Sequence, residues 1–130
     1  MERTKISVKM SRFDIYVEIF CLIAFVSYWI YLSLVYKSLP GQIPIHYNYA
    51  GKVDGYGNKS DLYELPRVAT ILYVVLTGVN LVILFFNDLL VFSVQQSESR
   101  LKKTIRTVAV CKLLIVIIFL AITFFIVQKV

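Results

Sequence analysis

Three long apolar runs, separated by short polar stretches, set the pattern of this chain. Ile15–Tyr36 carries one charge, Glu18; Val68–Asn87 carries none; Thr107–Gln128 carries only Lys112. An apolar helix needs about 20 residues to cross a bilayer, and each run is that long. Backbone in hydrocarbon must satisfy its own hydrogen bonds, so the runs predict helices. The expected fold class is an all-α integral membrane protein: three transmembrane helices with a short ordered extracytoplasmic cap of extended and turn structure. The expected division is a basic arm over 1–14, a first span over 15–37 and an outer loop over 38–65. A second span over 66–94, a turn over 95–100 and a third span over 101–128 follow. The first run is too long for a cleaved leader, and Tyr28-Trp29-Ile30-Tyr31 is no small-residue cleavage site.

Local signals refine these elements. Ser11 with Asp14 three residues on predicts a capped start for the first helix. Tyr28, Trp29, Tyr31 and Tyr36 crowd its far end, as rings do at the headgroup layer. Leu39 precedes Pro40 and is pushed out of helix. Ile43–Tyr49 alternates apolar and polar positions, an extended pattern that Pro44 restricts to an edge. Ala50-Gly51-Lys52 and Asp54-Gly55 read as turns. Asp61-Leu62-Tyr63-Glu64 resembles a capping box and predicts a second helix from about Leu62, with Pro66 tolerated in its first turns.

A tight turn at Gln95–Ser99 would make the second and third helices antiparallel neighbours. Counting outward from it sets Asp88 level with Arg106, and predicts a pair between Asp88 and Arg106 or Lys103. The same count sets Asn80 level with Leu113–Leu114, where helix three offers no side-chain partner, so its amide is expected to look toward helix one or another subunit.

The net charge of +6 comes from Lys and Arg gathered at helix ends rather than on a nucleic-acid-binding face. Arg3, Lys5, Lys9, Arg12, Arg100, Lys102, Lys103 and Arg106 share one side of the membrane; Lys37, Lys52, Lys59, Arg67 and Lys129 share the other. The richer side is expected to be cytoplasmic. That gives a multi-pass protein of the cell membrane, its N-terminus inside and residues 38–65 outside. Cys21 and Cys111 both fall in the cytoplasmic halves of spans and read as small packing residues.

Within the spans, Tyr73, Thr77, Asn80 and Asn87 share one face of the second helix, as helix-to-helix glue or as a polar lining. Lys112 is expected to snorkel to the cytoplasmic surface. Outside, His46 with Asp54 reads as a structural hydrogen bond in a tight cap. No second histidine accompanies them to build a zinc site, and Asp54–Asn58 lacks the acidic third position of a calcium loop. No residue set predicts a catalytic centre, a metal or a cofactor, so the chain is not expected to be an enzyme.

The run Leu39-Pro40-x-x-Ile43-Pro44-x-His46-Tyr47, then Gly51-x-x-Asp54 and Gly57-x-Lys59, resembles a bacterial family of unknown function. That family is best known as the N-terminal part of SdpI-type immunity proteins, with Tyr47 here where phenylalanine is commoner. The resemblance singles out Pro40, Pro44, His46, Gly51, Asp54 and Lys59 as a candidate binding or structural motif. It implies a membrane protein that resists a secreted killing peptide, or signals by holding a repressor at the membrane. SdpI-type proteins carry a further multi-span half that these 130 residues do not include. The expected partners are the lipid bilayer and a peptide or protein ligand at the outer cap, with no nucleic acid. The alternative is a component of a small-molecule transporter or channel, as a homo-oligomer, since three helices enclose little.

Overall fold

The computed structural model describes residues 8–86 and 98–130. Helix α1 spans Arg12–Tyr36, strand β1 Gln42–Tyr47 and strand β2 Val53–Asn58. A short 3₁₀ helix covers Lys59–Tyr63, α2 covers Glu64–Phe85 and α3 covers Glu98–Gln128. All three α-helices are long and apolar enough to cross a membrane, and the chain is a multi-pass membrane protein. Phe20, Leu34, Ile71, Val74 and Phe85 are more than half exposed along the helix flanks. Faces that greasy suit hydrocarbon rather than water.

The helices start and stop for local reasons. Ser11 accepts from the Asp14 amide while the Asp14 carboxylate accepts from the Ser11 amide, closing the expected box at the head of α1. The start of α2 differs from expectation. Asn58 and Asp61 form the box, one turn earlier than Asp61–Glu64, and it opens the 3₁₀ helix rather than α2 itself. Asn58 is extended and free to cap, whereas Asp61 already lies within the 3₁₀ turn. Pro66 sits in the first turn of α2, where its missing N–H goes unneeded. Helix α2 ends at Phe85, so the apolar stretch past Asp88, Asp88 itself, Asn87 and the Gln95–Ser97 part of the expected turn lie outside the described residues.

Inward positions on α1 fall at 14, 18, 21, 25, 28, 32 and 35, and at 62 in the 3₁₀ helix then 66, 69, 73, 76, 80 and 83 on α2. Alternating steps of four and three make a heptad seam on each. Helix α3 makes close backbone contact with both neighbours, while α1 and α2 meet mainly through long side chains. It runs parallel to α1: Asp14 meets Arg106, Glu18 meets Lys112 and Tyr28 meets Thr123. It runs antiparallel to α2, as expected, but in a different register. Asn80 stands against the Ile105 carbonyl rather than level with Leu113–Leu114, and Thr77 meets Lys112.

Apolar clusters close both ends of the bundle. Val8 tucks under the end where α1 starts, against Ile83, Leu101 and Ile105. Leu39 and Ile43 plug the opposite end with Leu32 and Leu62, backed by Ile126 and Val127. The plug ties the β1–β2 hairpin to the helices.

Candidate functional site

Two polar groups stand out, one within the helix bundle and one on the β1–β2 hairpin. The inner one gathers side chains from all three helices. Lys112, 1% exposed, donates to Glu18 Oε2 at 2.5 Å and to Thr77 Oγ1 at 3.1 Å, and lies 4.8 Å from the centre of the Tyr73 ring. Each of its three N–H directions thus has a receiver: a carboxylate, a hydroxyl and the electron-rich face of a ring. Asn80 Nδ2 donates to Glu18 Oε1 at 3.1 Å and to the Ile105 carbonyl at 3.4 Å. Phe25 stacks on Tyr73 at 4.5 Å and Cys21 is fully buried.

Lys112 therefore does not snorkel. Its ammonium is turned inward, because a carboxylate at the same depth on α1 offers a nearer and stronger partner than the surface does. Asn80 reaches Glu18 on α1, the direction expected, but from a different register and with a second partner in the Ile105 carbonyl of α3. Tyr73, Thr77 and Asn80 share one face and converge on the pair. Sequence reasoning treated Glu18 only as a lone charge in an apolar run. The available signal was that Glu18 lies four residues beyond Asp14 and Lys112 six beyond Arg106, about 6 and 9 Å along parallel helices.

Arg106 pairs with Asp14, while Asp88, its expected partner, lies outside the described residues. Its Nε donates to Asp14 Oδ1 at 2.9 Å and its Nη2 to Ser11 Oγ at 3.3 Å. Farther out, the Tyr28 hydroxyl donates to Thr123 Oγ1 at 2.6 Å, since Thr123 spends its own proton on the Phe119 carbonyl. Three polar rungs thus join α1 to α3.

The other group is the hairpin. Its strands are antiparallel, with Ile43 opposite Gly57, Pro44 opposite Tyr56 and His46 opposite Gly55. The turn is tied by Asn48, whose Oδ1 accepts from the amides of Ala50 and Lys52 at 2.9 and 3.0 Å. Gly51 sits at φ +71°, a left-handed conformation that favours glycine. The second strand is hidden in the sequence, where Gly55 and Gly57 look like breakers. Here they make room instead: a Cβ at Gly55 would meet His46 Cβ at 2.9 Å, and one at Gly57 would meet Ile45 Cδ1 at 2.8 Å.

The motif residues divide by role. His46 Nδ1 and Asp54 Oδ1 form the expected pair, with side chains 72% and 41% exposed. Lys59 Nζ donates to the Leu39 carbonyl at 3.3 Å and lies over the Tyr36 ring, pinning β2 to the end of α1. Pro44 is buried and Pro40 exposed. Burial pushes the Tyr47 phenol above its ordinary range, with Tyr56 adding to the effect; its ring packs against Phe125. Ile45, Tyr49 and Tyr56 are exposed on the hairpin. Among the described residues, no three His, Cys, Asp or Glu side chains gather into a metal-sized group.

Residues 21–77 match the model of a family described as a domain of unknown function, DUF1648. The match begins inside α1, contains the whole hairpin and ends at Thr77, so it excludes Glu18, Asn80 and Lys112. An uncharacterised protein of Archaeoglobus fulgidus is similar over 50 residues at 38% identity, a stretch covering 38% of this chain and 27% of that protein. No solved structure matches.

Proposed function

We propose that this chain is a membrane-embedded binding module whose outer hairpin receives a peptide or protein ligand, in the manner of SdpI-type immunity or membrane signalling. The observation that carries the reading is a hairpin fastened to the bundle by the Leu39–Ile43–Leu62 plug, yet exposing Ile45, Tyr49, Tyr56 and the His46–Asp54 pair. Aromatic and aliphatic side chains held out on an ordered element are what binding surfaces use as anchors. The family match supports the same segment, since the whole hairpin lies within it.

In this reading the hairpin faces outward and the basic helix ends face the cytoplasm. Cysteine at Tyr49, the hairpin tip, should react with an impermeant thiol reagent on intact cells. Labelling only after lysis would reverse the orientation. For function, cells with and without the gene are challenged with secreted peptides of competing strains. Loss of the gene should lower survival at least tenfold, and a Tyr49→Ala/Tyr56→Ala protein present at normal membrane levels should fail to restore it. Equal survival, together with no peptide binding to the purified protein, would sink the proposal.

A second reading, a transporter or channel component, draws on the buried Glu18–Lys112–Asn80 cluster, because charged groups at membrane depth often line substrate paths. Solute flux into proteoliposomes that vanishes in Glu18→Gln would favour it over the first.

A further inference from the structure

The first turns of α3 carry four basic residues that divide into two kinds. Lys102 pairs with Glu98 at 2.5 Å, and Arg106 pairs with Asp14. Arg100 and Lys103 have no carboxylate in salt-bridge reach among the described residues. They share one helix face with Thr104, Thr107 and Val108, and these five residues line a shallow groove. Thr104 donates its proton to the Arg100 carbonyl at 3.0 Å, which leaves the Thr107 hydroxyl as the groove's free donor.

The order of chemistry along this face is informative. Arg100 and Lys103 come first. Thr107 follows about 10 Å from Arg100 along the axis. Val108 comes next, then exposed Cys111, Leu114 and Ile118 farther along α3. A diacyl phospholipid presents the same sequence from water inward: a phosphate, ester-linked glycerol, then acyl chain. Among the described residues no acidic side chain lines the groove to greet a choline or ethanolamine ammonium, so it favours a headgroup with net negative charge. Basic residues at the membrane edge are the usual attraction for such lipids.

We infer that the Arg100–Lys103–Thr107 groove is a binding site for an anionic phospholipid of the adjoining leaflet. The phosphate sits between the guanidinium and the ammonium, and an acyl chain lies along Cys111 and Leu114. The site is separate from the outer hairpin and does not depend on what the hairpin binds.

The test uses the purified full chain in mixed micelles holding equal phosphatidylglycerol and phosphatidylcholine, with retained lipids counted by native mass spectrometry. The wild type should retain phosphatidylglycerol at least fivefold over phosphatidylcholine. Arg100→Gln/Lys103→Gln should bring that ratio near one. Lys9→Gln/Lys102→Gln, which removes the same net charge elsewhere, should leave it high. All four positions are exposed, so unliganded melting temperatures should agree and report intact folding. Three results would each overturn the site: no preference in the wild type, an equal loss in the charge-matched variant, or displacement of the lipid by millimolar inorganic phosphate. The last would mark a site for free anions rather than lipid.

Discussion

Glu18–Lys112 and His46–Asp54 each join a carboxylate to a basic nitrogen, in opposite surroundings. The inner pair is sealed, with Lys112 1% exposed and Glu18 24%; the outer pair stands in water, at 72% and 41%. A charge at membrane depth is costly alone, so the inner pair obliges its members to each other and to Thr77, Asn80 and Tyr73. An exposed pair gains little over solvation, typically about 0–1 kcal/mol. The inner pair therefore holds the helices in register. The outer pair contributes little to holding anything, and its place on an exposed hairpin fits a surface that is used.

The sharpest way to break this contrast is to remove one inner partner. Lys112→Met leaves the Glu18 carboxylate without its cation, and should cost about 3–5 kcal/mol of unfolding free energy in mixed micelles. Adding Glu18→Gln should recover most of that loss, because two neutral groups need no pairing. A Lys112→Met protein as stable as the wild type would show that the pair does not hold the bundle.

Next in size is the joint between the two regions. Ile43 is 1% exposed in the outer plug. Ile43→Ala should cost roughly 3 kcal/mol and raise hydrogen exchange across the hairpin before it does so in the helices. Uniform exchange would mean that hairpin and bundle unfold as one unit.

Smaller again is the hairpin turn. Gly51→Ala forces a Cβ into a left-handed conformation and should cost about 1–2 kcal/mol, read as a lower denaturation midpoint. Last comes the outer pair: Asp54→Asn should change stability by less than about 1 kcal/mol. A loss several times larger in thermal denaturation would make His46–Asp54 a structural element like its inner counterpart, and erase the contrast.

Much of this arrangement could be read from the residues. Run length revealed the three spans, and Ser11 with Asp14 marked the first helix start. Alternation located β1, and the chemistry of His46 and Asp54 suggested their pairing. What escaped was set by contacts between distant segments. Gly55 and Gly57 look like breakers until Ile45 and His46 are laid across them. The pairing of Arg106 with Asp14 follows only once parallel α1 lies beside α3. Lys112 looked like a surface-seeking lysine because its distance from Arg106 is visible along the chain, whereas its distance from Glu18 exists only once α1 and α3 lie side by side.

The separation of that pair along the chain also has a meaning in time. Glu18 and Lys112 are 94 residues apart. At ordinary rates of synthesis, about 5–20 residues per second, the second charge is made roughly 5 to 20 seconds after the first. Throughout that interval α1 exists without its counter-charge, and α2 can bring only the Asn80 amide. Neutralisation of the bundle is thus among the last events in its making, and a chain cut short before α3 leaves behind a membrane helix with a carboxylate that no cation has reached.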